Sequence, residues 1–351
     1  MEPEEYDLNP AEAQPESPES VPAPTPADLR PARKIFSRLG LALFAIAAVT
    51  TSLQAVCAGL LTSLPVPAWL SVDNWGMWLV SFVPLYCVAV PVGLLLFRKI
   101  PAEKPEDQKL SAGSFFRLLL ICFPLMYAGN LIGTFLSLLL SGGQAQNALY
   151  SFIQTDSPVK IVVIVFLAPV IEEFVFRKKL IDRARRYGEK SAMVLSALTF
   201  GLFHMNLYQF FYAFALGLVF AYVYTRTGRL RYSVVMHMVI NFLGSVVAPY
   251  LAGSLDLSSL QSAGMDPEKL MTQFAGQLPQ LMALGIYGLA ILGLSVAGLV
   301  ILIVYAKKAV FRPAPEELPK EKRVKTIYGN VGMLLFIVLC LTATAVALFA
   351  S

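Results

Sequence analysis

The sequence predicts an all-α membrane protein, a bundle of about nine transmembrane helices with its N-terminus inside. Three observations carry this. Hydrophobic residues make up 56% of the 351 and charged residues 15%, against about 45–50% and about 25% in soluble domains. Mean hydropathy is +0.64. Apolar runs near the 20 residues needed to cross a bilayer recur along the chain.

Nine runs qualify: about 39–62, 75–97, 115–140, 159–176, 191–208, 210–225, 232–251, 280–305 and 329–350. Only Leu207-Tyr208-Gln209-Phe210 separates the fifth from the sixth, which predicts a tight hairpin or a broken pair; a single broken element would make the count eight. The basic residues test the order. With nine spans and the N-terminus inside, the inner segments hold 26 of the 28 lysines and arginines, and only Lys160 and Lys269 fall outside. That asymmetry is the positive-inside rule. Basic residues spread between spans do not form a nucleic-acid patch.

Residues 1–34 read as a disordered cytoplasmic tail, because the first 29 carry eight acidic and no basic side chains and offer little apolar surface. Residues 35–157 form the N-terminal helices, 158–251 a polar-bearing core, and 252–351 a loop with the last helices. The four cysteines, Cys57, Cys87, Cys122 and Cys340, each lie in an apolar run without metal-ligand spacing.

The chemistry sits in the core. Among 23 carboxylates only Glu172 and Glu173 fall within a span, and both histidines, His204 and His237, fall within spans. Ionisable groups in a bilayer are expensive and mark functional interiors. Glu173 and Arg177 stand four apart on one helical face, able to pair, while Glu172 is turned by about 100° and free to act. Pro169 just before them opens or kinks the helix. Phe200 and His204 share a face, as do His237 and Asn241. A buried ion pair is an equal reading for Glu173–Arg177, packing is the plainer role for Phe200 and Phe203, and an interfacial belt is the plainer place for Tyr208, Tyr212, Tyr222 and Tyr224.

The segments Glu172-Glu173-xxx-Arg177, Phe200-xxx-His204 and His237-xxx-Asn241 resemble the three motifs of the CAAX-protease and bacteriocin-processing family, also called Abi or type II CAAX prenyl endopeptidases. The resemblance covers about residues 158–250. It implies an intramembrane endopeptidase acting on a peptide or lipidated protein. In that family's scheme Glu172 and His204 activate water, His237 and Asn241 stabilise the oxyanion, and Glu173 and Arg177 support them. Two versions stay open: a metal-free glutamic peptidase, which is favoured, and a divalent-metal enzyme such as a zinc peptidase with Glu172, His204 and His237 as ligands. The expected partners are a peptide or protein substrate and membrane lipid. The plain helical plan suits a bacterial plasma membrane, with bacteriocin processing or immunity among the family's roles.

Competing classes are weaker. Gly293-Leu-Ser295 resembles the Gly-x-Ser of rhomboid-type serine peptidases, but no histidine follows His237, and no span carries an aspartate. The alternative is a non-catalytic scaffold, which would be free to lose these residues, or a proton-coupled transporter, in which Glu172 and the histidines would form a proton relay. One tension remains in the pattern. Taking Arg177 as the cytoplasmic end puts Glu172 about 8 Å deep, while His204 lies about 20 Å beyond Ser191. The helix carrying His204 is therefore expected to start in water, continuing from Lys178–Lys190, or to run tilted, with the site opening to the cytoplasm.

Overall fold

The apolar runs become helices in a computed structural model of the chain, which describes residues 5–6, 29–71, 75–145, 147, 152, 158–256 and 266–349. Among the described residues, nine helices fall on the nine expected segments. They are α1 (Leu29–Ser63), α2 (Trp75–Phe97), α3 (Ala112–Leu140), α4 (161–187), α5 (Glu189–Phe203), α6 (Leu207–Thr227), α7 (Leu230–Gly253), α9 (Leu278–Tyr305) and α11 (Val331–Phe349). Two shorter ones, α8 (Pro267–Gly276) and α10 (Lys320–Tyr328), occupy the long loops. Among the described residues, seven helices are long and apolar enough to span a membrane; α4 and α5, which carry the glutamates and His204, are the exceptions. The chain is an all-α integral membrane protein.

Two boundaries move. The first helix begins at Leu29, so 29–34 are helical rather than tail, and Glu5–Tyr6 pairs in parallel with Lys109–Leu110. The rest of the expected tail lies outside the described residues. The break between the fifth and sixth segments comes at His204–Asn206, three residues earlier than expected, and forms a tight hairpin. Met205 takes φ +48° there, a left-handed conformation that non-glycine residues adopt at a cost. Asn206 caps α6 by accepting from the Tyr208 amide at 2.9 Å, satisfying one of the helix's orphan donors.

The depth tension eases because the helix carrying Glu172 does not end at Arg177. The helix runs ten residues further as a buried element, with Leu180, Ile181 and Ala184 fully enclosed. Arg183 donates to the Phe97 carbonyl at 3.0 Å, and Asp182 accepts from the Tyr224 hydroxyl at 2.7 Å. Gly188, at φ +128°, then turns the chain into α5. Fifteen residues separate Glu172 from Tyr187, and fifteen separate His204 from Glu189. Both groups therefore stand about 22 Å above the same turn.

Wide π-helical turns interrupt α2 at Pro84–Ala89, α4 at Ile161–Leu167 and α7 at Leu243–Val247. Each of these ends two residues before a proline: Pro91, Pro169 and Pro249. A proline ring collides with the carbonyl four residues back, and an extra residue in the turn moves that carbonyl aside.

α3 lies against α6 at Gly129 and Gly133. A Cβ on Gly129 would sit 2.5 Å from Tyr212 backbone atoms, and one on Gly133 would sit 2.7 Å from the Leu207 carbonyl oxygen. This close approach fixes the start of α6, immediately after His204. We expect Gly129→Val to lower the unfolding midpoint in detergent, by about 1–3 kcal/mol or more. Gly293→Val, where a Cβ meets nothing within 4 Å, should leave it unchanged. Equal midpoints for the two variants would contradict this packing.

Candidate active site

Glu173 and Arg177 form the expected pair, one turn apart on α4. Arg177 Nε and Nη2 donate to the two carboxylate oxygens at 3.0 and 3.1 Å, and neither side chain is exposed. Nη1 donates to Ser196 Oγ on α5 at 3.0 Å, and that hydroxyl donates to the Phe176 carbonyl at 2.7 Å. The guanidinium lies 4.7 Å from the Phe200 ring centroid and 5.8 Å from that of Phe220. Bidentate pairing beside two aromatic rings is what the planar Arg head suits and Lys does not.

His237 reaches in from α7. Its Nδ1 is 3.2 Å from Glu173 Oε1, and its ring stacks on Phe220 at 5.2 Å. A carboxylate oxygen only accepts, so Nδ1 carries the proton and Nε2 faces elsewhere. It faces Glu172 Oε2 at 3.7 Å, too long for a direct hydrogen bond. Glu172 differs from its neighbour as the 100° rotation predicts: its side chain keeps 22% of its surface open. One carboxylate is tied down and the other is accessible.

His204 ends α5. Its Nδ1 lies 2.9 Å from the Phe200 carbonyl, which fixes the proton on Nδ1 and leaves the Nε2 lone pair outward. Both histidines meet the Phe200 ring edge-on, His204 at 4.9 Å and His237 at 5.8 Å. Phe200 is thus the ring between the two histidines, in addition to its packing role. The antiparallel pairing of Arg177 with Ser196 places Glu172 within about a turn of His204 in height.

Asn241 sits one turn beyond His237, with its Nδ2 donating to the Ile164 carbonyl at 2.9 Å. Tyr86 on α2 and Tyr212 on α6 lie within reach of the Glu172 charge, and Gln209 Nε2 donates to the Tyr212 hydroxyl at 2.9 Å. Tyr212 is partly buried on α6, with its hydroxyl held by Gln209. Ser196, Phe220 and Tyr86 carry no motif that the sequence could have offered; only the fold brings them here. Among the described residues no group of three or more His, Cys, Asp or Glu side chains is arranged to hold a metal ion. His237 has one nitrogen committed to Glu173, and Glu172, His204 and His237 are not gathered as a ligand set.

Comparison with known proteins finds two similarities. Residues 154–243, which contain every residue of the three motifs, match the family described as Type II CAAX prenyl endopeptidase Rce1-like. Over this segment the chain is similar to that family of endopeptidases. It is also similar to a protein of Bacillus subtilis (strain 168) named "Putative membrane peptidase YdiL", at 28% identity over 173 residues, covering 47% of this chain and 69% of that one. No solved structure matches the chain.

The buried pair yields a stability test. Arg177→Ala strands Glu173 without its counter-charge, and we expect a loss of about 3–5 kcal/mol, read as a lower unfolding midpoint in detergent. The double variant Glu173→Gln/Arg177→Met, which removes both charges, should recover part of that loss. No recovery would show that the pair is not the stabilising unit.

Proposed function

We propose that the chain is an intramembrane endopeptidase that cleaves a peptide or lipidated protein with a water activated by Glu172 and His204. The observation that carries the reading is the split between the two neighbouring glutamates. Glu173 is enclosed and bonded to Arg177 and His237, whereas Glu172 is partly open and only faces His237 Nε2 at 3.7 Å, beyond direct hydrogen-bond reach. A general base must be free to reach its proton.

In this scheme the water sits between the Glu172 carboxylate and His204 Nε2. As its oxygen attacks the scissile carbonyl carbon, its proton passes to Glu172. The carbonyl oxygen becomes an oxyanion, which accepts from His237 Nε2–H in the imidazolium form. Glu173, bonded to Nδ1, stabilises that cation. The tetrahedral intermediate then collapses, the C–N bond breaks, and the proton on Glu172 moves to the departing nitrogen. The carboxylate is regenerated. Preorganised donors of this kind contribute about 3–4 kcal/mol each when removed singly. The metal-free version is the one proposed, since each of these steps can be assigned to a side chain of the site without a Lewis acid. The site is proposed to open toward the cytoplasm, the side on which the basic loops fall by sequence.

The test uses the full chain in detergent with a fluorogenic peptide library. Glu172→Ala and His204→Ala should each lower kcat by about 10²–10⁴-fold while keeping the parent's unfolding midpoint, and a zinc chelator should leave the parent's cleavage unchanged. Unchanged cleavage in both variants would reject the assigned roles, and chelator-sensitive cleavage restored by zinc would reject the metal-free version. Comparative peptidomics of cells carrying the parent or Glu172→Ala would then identify substrates, as peptides that appear only with the parent.

A further inference from the structure

The π-helical turn of α4 leaves a specific backbone group without its ladder partner. In that turn each N–H reaches back five residues, and the Ala168 N–H donates to the Val163 carbonyl. The next rung would run from residue 169 to the Ile164 carbonyl. Residue 169 is proline and has no N–H to give. In a membrane interior there is no bulk water to replace it, and a stranded carbonyl costs several kcal/mol. The Asn241 amide donates to that same oxygen, Ile164 O, at 2.9 Å.

We infer that Asn241 is a positioning residue: its side-chain amide stands in for the N–H that Pro169 lacks, and so pins the break in α4 to α7. The placement gives the pin its consequence. Pro169 lies three residues before Glu172, and Asn241 lies one turn from His237. One hydrogen bond therefore sets where the glutamate pair stands relative to the imidazole that faces both carboxylates, at 3.2 and 3.7 Å. A helix break without the pin could rotate or slide, and misplacement by about 1 Å is enough to lose about 100-fold in rate. The pin takes one of the two amide protons, so it is compatible with contact between the other and a reacting oxygen. This inference rests on the peptidase reading for its kinetic consequence, but not for its structural content.

The experiment is a double-mutant cycle in the full-length protein, with Asn241→Ala, Pro169→Ala and the pair together. Alanine in place of Pro169 restores an N–H, so Ile164 no longer needs Asn241. In the parent background Asn241→Ala should lower kcat by about 100-fold, with KM changed less than about threefold, and should lower the unfolding midpoint. In the Pro169→Ala background the same substitution should cost less than about tenfold in kcat and leave the midpoint nearly unchanged, the signature of coupled residues. Asn241→Leu, which keeps the volume and removes the donor, should behave as Asn241→Ala and separates loss of the bond from loss of packing. Equal losses in both backgrounds, in kcat and in midpoint, would overturn the inference. The midpoints need no turnover, so the two proposals fail separately. If Glu172→Ala cleaves like the parent while the midpoint coupling persists, the peptidase reading falls and the pin stands.

Discussion

A guanidinium with no exposed surface determines how the core of this protein is arranged. Burying a charge is expensive unless it is paired and its hydrogen-bonding groups are met. Arg177 meets this condition by using partners from several helices: Glu173 on its own helix, Ser196 and Phe200 on α5, and Phe220 on α6. The carboxylate it neutralises then holds His237 of α7. Four helices thus refer to one ion pair. Any shift of α4, α5, α6 or α7 relative to the others would unpair a buried charge, which makes this arrangement much stiffer than apolar packing alone, where one methyl-sized fit can be traded for another.

This constraint separates the two neighbouring glutamates. Consecutive positions on a helix differ by about 100°, so fixing Glu173 inward directs Glu172 to an adjacent face. There it keeps partial access, beside an imidazole whose other nitrogen is already committed. His204 is oriented separately, by its own backbone carbonyl bond to Phe200, but Phe200 also lies under Arg177. The ion pair therefore reaches both sides of the site, through Glu173 and His237 on one side and through Phe200 on the other.

Much of this was legible in the chain. Apolar runs anticipated nine helices among the described residues, and the isolation of Glu172, Glu173, His204 and His237 among apolar neighbours pointed to the candidate site. Spacing of four residues identified Glu173–Arg177. What misled was the reading of charge as surface. Lys178, Asp182, Arg183 and Arg185 look like a cytoplasmic loop, and so Arg177 looked like a helix end. In the fold, Asp182 and Arg183 are buried against Tyr224 and the Phe97 carbonyl, and α4 extends past them. A sequence shows that a residue is charged; whether it is solvated depends on partners from distant helices, and here those partners lie 42 and 86 positions away. Tyr86, Ser196 and Phe220 were silent for the same reason.

The prolines show a second limit of the same kind. Pro169 could be read as a helix disturbance, but its consequence for a second helix could not. A proline removes one donor and displaces one carbonyl. In water that carbonyl would find a solvent molecule and the local effect would end there. In a bilayer the carbonyl must be satisfied by protein, so the disturbance in α4 specifies a donor on another helix. Asn241, 77 positions from Ile164, supplies it. The break in one helix and the amide on another then form a single feature of the fold, and the glutamates lie three and four residues beyond it on a helix whose register depends on that bond.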